Sequence, residues 1–189
     1  MKKQIALILV LAVSMADTNA QNIYSTDNGH VSFYSKAPIT DVDAANEKVN
    51  VELNKSTKAL SINMAMKDFK FKSAKMGRDA EKNYIETDAY PTAGFTGRLN
   101  GTIDYDKPGS YPATANGKLS IHGVEKEISE KGVVIVQKGQ VRLESQFKVK
   151  LKDYNIKTPK ILGHEMTEED ILVKIKANLT EGASKPTRK

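Results

Sequence analysis

Between positions 141 and 151 apolar and polar side chains alternate without a break. Val141, Leu143, Phe147, Val149 and Leu151, with Ser145 completing the register, fall on one face. Arg142, Glu144, Gln146, Lys148 and Lys150 fall on the other. A two-residue period with one apolar and one solvated face dictates an antiparallel sheet with a single buried side. Eleven extended residues reach roughly 36 Å, more than a common strand, so the sheet is tall or strongly curved. Leu60, Ile62, Met64 and Met66 repeat the pattern against Ser61, Asn63 and Lys67. Many such strands in one modest chain require a sandwich or a closed barrel. A barrel has an inside, and what fills it decides function.

Further strands are expected over 30–36, 48–53, 59–67, 92–104, 111–121, 124–129, 133–137 and 170–179. Turn chemistry separates them: 54–58, Pro108-Gly109, Gly123 and Lys138-Gly139. Ala37-Pro38-Ile39-Thr40 ends the first strand, because proline cannot join a central ladder. The polar stretch 41–47 is read as one helical turn. Residues 68–89 lose the period of two while keeping Phe69, Phe71, Met76, Tyr84 and Ile85. They read as a loop with a short helix over 74–82, lying over one end of the sheet, with Gly77 weakening that helix. Residues 153–169 are irregular, and 181–189 read as a disordered tail. No internal repeat or linker divides the chain.

The first twenty residues read as a secretory signal peptide. Lys2 and Lys3 precede an apolar stretch over 5–13, too short to span a bilayer comfortably, and Thr18-Asn19-Ala20 places small residues before a cut after Ala20. The expected location is the periplasm or the medium. The remaining 169 of 189 residues make one domain, placed at 21–180. The absence of cysteine excludes disulfides and thiol-metal or thiol-redox chemistry. A net charge of +6 comes largely from lysines alternating along strand faces, the solvated side of a sheet. With an aromatic content of 6% and an export signal, nucleic acid is not an expected partner.

Three stretches together resemble the YceI-like lipid-binding family. The first is Met66-Lys-Asp-Phe69-Lys-Phe71, continuing through Tyr84-Ile85-Glu86 to Tyr90-Pro91-Thr92-Ala93-Gly94-Phe95-Thr96-Gly97. The second is Gly117-Lys-Leu119-Ser-Ile121-His122-Gly123-Val124-Glu-Lys126, and the third Phe147-Lys-Val149-Lys-Leu151-Lys-Asp153-Tyr154-Asn155-Ile156. Phe33-Tyr34-Ser35-Lys36-Ala37-Pro38 departs from the family in lacking a histidine and a Gly-x-Phe. The resemblance implies an all-β fold: an extended antiparallel lipocalin-like barrel of about eight strands, with the helix and loop segment over one end. It also implies a polyisoprenoid, isoprenoid quinone or other long amphiphile held in the interior, in a protein that is not an enzyme. An eight-stranded barrel has just enough room for one small ligand.

The inward stripe then supplies the expected ligand contacts: Phe33, Ile62, Met64, Met66, Phe69, Phe71, Phe95, Ile121, Phe147 and Val173. The same residues equally suit a filled core. Tall strands and the flexible thioethers of Met64 and Met66 favour a tunnel. Phe69, Phe71, Met76 and Tyr84 read either as a lid that admits a lipid or as a plug. His30, His122 and His164 have no ligand-like spacing, so no metal and no cofactor is expected, and His122 beside Gly123 reads as a turn residue. No nucleophile elbow or phosphate loop occurs. Lys67, Lys70, Lys72 and Lys75 form either a solvated face or a point of transient contact with a membrane surface. The reading is an exported carrier or sequestering protein for a long apolar lipid, with a filled interaction module as the alternative. Monomer and homodimer are both open.

Overall fold

Inward and outward positions read from the sequence become the two sides of one continuous ladder. The computed structural model describes residues 22–36, 41–157, 160–161, 164–165 and 170–182. The expected leader, the break at 37–40 and the part of the expected 181–189 tail from 183 onward lie outside the described residues, whereas Glu181 pairs with Tyr24 and belongs to the last strand. The strands are β1 (Ile23–Ser35), β2 (Val42–Asn54), β3 (Ala59–Ala65), β4 (Lys70–Phe71), β5 (Thr92–Asn100), β6 (Gly109–Ile121), β7 (Val124–Gln137), β8 (Gln140–Lys150), β9 (Lys160–Ile161), β10 (His164–Glu165) and β11 (Asp170–Glu181). One helix, α1 (Ala74–Asn83), and two 3-10 turns, Met66–Asp68 and Leu151–Tyr154, complete the described elements.

The ladder runs β1-β11-β8-β7-β6-β5-β3-β2, and β2 pairs back onto β1. All of these pairings are antiparallel, so eight strands close a barrel. β4 is an extra strand on β2, through Ala44 opposite Phe71, and β9 pairs only with β10. Closure removes every sheet edge that the ladders reach.

Side-chain volume divides the interior into two halves. At the end formed by the start of β1 and the close of β2, Val49, Val51, Leu53, Val141 and Leu179 have no exposed surface. Val134 and Val136 join them, and Tyr24 stacks on Tyr105 with ring centroids 5.9 Å apart. Each fully buried aliphatic side chain of this kind contributes about 1.5–3 kcal/mol. This end is a packed floor. Where β5 crosses β6, Gly97 faces Gly117. A Cβ on Gly97 would stand 2.3 Å from the Asn116 carbonyl oxygen, so only glycine permits this close approach. The Phe95 ring covers both glycines.

Four expectations are corrected. Residues 42–47 are the start of β2 and not a helical turn. Their pairing with 31–35 buries Ala44 and Asn46, and this tertiary gain overrides a polar local sequence. Asn46 Nδ2 donates to the Ala65 carbonyl (2.9 Å), joining β2 to the end of β3 beyond their ladder. The expected strands 124–129 and 133–137 are one strand, β7, continuous through Glu130 and Gly132. β1 begins seven residues before position 30, its register shifting around Gly29. β5 ends at Asn100, and Gly101 bends the chain. Pro112 is tolerated inside β6 because the β5 ladder reaches only Thr114, so no partner lacks its missing amide.

One wall is only half zipped. β7 pairs β8 from Gly132–Ser145 to Gln137–Gln140, and the ladder stops there. Residues 124–131 and 146–150 diverge toward the opposite end of the barrel from the floor. At the fork the Ser145 hydroxyl donates to the Lys131 carbonyl (2.8 Å), which the ladder leaves unpaired. That carbonyl therefore points toward β8, and the period of two puts Glu125, Glu127 and Ser129 on the same edge. Their amides are expected to exchange with solvent roughly tenfold or more faster than those of Lys126, Ile128 and Glu130, which face β6. Equal protection of the two sets in hydrogen-exchange mass spectrometry or NMR would show that the seam is closed.

Candidate ligand-binding site

The half of the barrel away from the floor is hollow. A cavity of about 230 Å³ lies there, lined almost wholly by apolar side chains. All ten residues expected at the ligand face line it: Phe33, Ile62, Met64, Met66, Phe69, Phe71, Phe95, Ile121, Phe147 and Val173. Ile62, Met66, Phe69 and Phe95 are buried, whereas Phe33, Met64, Phe71, Ile121, Phe147 and Val173 keep part of their surface open. All six of the open set line the cavity in the hollow half.

The mouth is built by the segment that loses the strand period. Met66 N–H donates to the Pro91 carbonyl (2.9 Å), anchoring the first 3-10 turn against the strand entry of β5. Phe69 and Phe71 then turn inward onto Phe33, with ring centroids 5.2 and 5.7 Å away. Ser73 caps α1 by accepting from the Met76 amide (3.4 Å). Gly77, a weak helix former, is buried on the Phe71 ring, where a Cβ would stand 3.3 Å from the nearest ring carbon. Its lack of a side chain lets the helix settle on Phe71. Met76, Ala80, Tyr84 and Ile85 therefore line the cavity from above without filling it.

His122 holds the rim together. With φ of +52° at His122 and +72° at Gly123, the β6–β7 turn has both central residues left-handed. The imidazole packs on Tyr90, centroids 4.0 Å apart, and its side chain is 7% exposed. Nδ1–H donates to the Tyr154 carbonyl (3.2 Å), and Nε2 lies 2.9 Å from the Glu86 carboxylate. One side chain thus joins the β6–β7 turn, the loop after α1 and the turn after β8. The expectation of a turn residue holds for its backbone; the clasp is non-local and leaves no trace in the sequence. Lys126 on β7 adds an ion pair to Asp153 (3.6 Å) across the open seam.

Polar atoms inside are few. Ser35, 1% exposed, carries a hydroxyl with no hydrogen-bond partner among the described residues. Glu130, half-buried on β7, also lines the cavity, and burial pushes its carboxyl above the ordinary glutamate range. Burial, with Asp153 and Glu130 nearby, likewise raises the Tyr154 phenol. At the floor, desolvation and then Tyr24 push Tyr105 up to about 12. Sequence reading missed Glu130 because it falls inside a charged run, 125–131, that interrupts the visible alternation. Lys67, Lys70, Lys72 and Lys75 are all exposed around the mouth, and Lys72 pairs with Asp43 (2.7 Å). Among the described residues no group of His, Asp or Glu is arranged to hold a metal ion, and only the backbone of His164 is described.

A family model described as the YceI-like domain matches residues 22–179. Among curated relatives, Protein YceI of Shigella flexneri and of Escherichia coli O157:H7 are each 29% identical over 154 residues, covering 78% of this chain and 68% of theirs. Among solved structures, a polyisoprenoid binding domain from Saccharophagus degradans implicated in plant cell wall breakdown superposes with a TM-score of 0.70, at 12% identity, over 85% of this chain and 99% of that one. BcnA from Burkholderia cenocepacia superposes with a TM-score of 0.64, at 16% identity, over 80% and 96%. Likeness at these identities establishes the fold.

The Glu130 carboxyl gives the site a pH signature. Its folded-state pKa lies above the unfolded one, so the relative stability of wild type is full below the unfolded value and is lost as pH rises through the folded value. Glu130→Gln is therefore expected to raise Tm at neutral pH, with the gain vanishing below the ordinary glutamate range. A Tm difference independent of pH would show that the carboxyl is not desolvated.

Proposed function

As this chain belongs to the YceI-like family, we propose that it is an exported binding protein that carries or sequesters one long apolar lipid, its tail buried in the hollow half of the barrel. The observation that carries this reading is the apolar cavity capped by α1 above a packed floor. A tail is held by burial: each methylene moved out of water contributes about 0.8 kcal/mol, so affinity needs few polar contacts. The isoprenoid class is suggested by the structural neighbour described as polyisoprenoid binding. Met64, Met66 and Met76 suit such a tail, because thioethers adapt to an irregular chain. Phe69, Phe71, Met76 and Tyr84 act as the lid in this reading, since they border the space.

Binding without catalysis fits the polar groups at the mouth. Both nitrogens of His122 are occupied, by the Tyr154 carbonyl and the Glu86 carboxylate, so neither faces a substrate. Export rests on the leader over 1–20, with the periplasm or the medium as destination. The exposed lysines around the mouth would favour brief contact with an anionic membrane surface during exchange.

The test is native mass spectrometry of the purified protein together with analysis of its organic extract. One long-chain lipid per chain is the expected result. A lipid-free mass, unchanged after incubation with a prenyl quinone, contradicts the proposal and favours a protein partner. Met64→Trp fills space beside Ala93 on β5. It is expected to lower prenyl quinone uptake about tenfold or more with the circular dichroism of the sheet preserved. Unchanged uptake would remove Met64 from the tunnel.

A further inference from the structure

Two polar groups in the cavity lack a purpose in the fold. The Ser35 hydroxyl lines the space, is 1% exposed, and has no hydrogen-bond partner among the described residues. Buried polar groups are nearly always bonded, so an orphan facing a cavity points to a ligand atom. The Glu130 carboxyl lines the same space from β7, three strands round the wall from β1.

The charge of the lining narrows the ligand. The chain has 29 lysines and arginines, yet none lies among the described cavity-lining residues. Its ionisable members are the acids Asp79, Glu130 and Glu144 together with His122 and two tyrosines. An anion brought inside would lose its hydration, find no cation, and face a carboxyl group. An uncharged oxygen meets no such penalty. Such an oxygen can accept from the Ser35 hydroxyl, while Glu130, three strands round the wall, keeps the lining acidic.

Resting on the lipid-binding reading above, we propose that the barrel selects a prenyl chain whose inserted polar end is an uncharged hydroxyl or carbonyl oxygen, received by Ser35 in a lining made acidic by Glu130, and that a diphosphate end on the same tail is kept out of the cavity.

The experiment compares geranylgeraniol with geranylgeranyl diphosphate by calorimetric titration into the full chain. The alcohol is expected to bind at least about tenfold more tightly. Ser35→Ala is expected to weaken alcohol binding about threefold to tenfold. Glu130→Lys is expected to move the preference toward the diphosphate by about tenfold or more. Thermal melting checks that each variant is folded; if Glu130→Lys is not, the wild-type ratio and Ser35→Ala still decide. Equal wild-type affinities, or a ratio unmoved in folded Glu130→Lys, overturn the end-group selection while leaving the lipid reading intact. Binding of neither compound overturns both.

Discussion

β1 is paired along both of its edges, to β11 and to β2, and the remainder of the molecule depends on that double pairing. It turns an eight-stranded sheet into a closed wall and fixes the interior width. With the width set, the only free variable is what each inward position carries. Branched aliphatics at Val49, Val51, Val141 and Leu179 meet across the floor. Toward the other end the strands continue past the point where their side chains meet. The hollow follows from the height of the strands on a wall of fixed width.

The two ends differ in how they are held as well as in how they are filled. Ladder hydrogen bonds and close packing hold the floor. Around the cavity, β7 and β8 part at Gly132 and Ser145, and side chains take over. His122 and the Lys126–Asp153 pair span the gap where backbone bonds stop. An end held by side chains opens at lower free energy than one held by a full ladder. Under the proposed lipid-binding reading, that asymmetry lets the mouth open for a tail while the floor keeps the fold.

Much of this was legible in the chain. The alternation at 141–151 gave β8 and its register, and Leu60, Ile62 and Met64 gave the inward face of β3. The loss of period after position 68 marked the cap, and α1 formed within a residue of the expected span. What the sequence hid was non-local. Residues 42–47 look polar because their strand is specified by β1, the partner that closes the barrel. Glu130 fell between the expected strands 124–129 and 133–137, because a polar group facing a barrel's interior breaks the very pattern that identifies the inside. The clasp at His122 joins positions 86, 122 and 154, which only the closed barrel brings together.

If the half of the barrel beneath α1 is a lipid site and the other half is solid, a bound prenyl tail must lie in the first and not the second. The most direct measurement is a crystal structure with a bromine-labelled prenyl alcohol, read by anomalous scattering. Bromine density is expected between Met64 and Phe147, within the cavity, and none among Val49, Val51 and Val141. Bromine found only on the outer surface of a fully soaked crystal would contradict it.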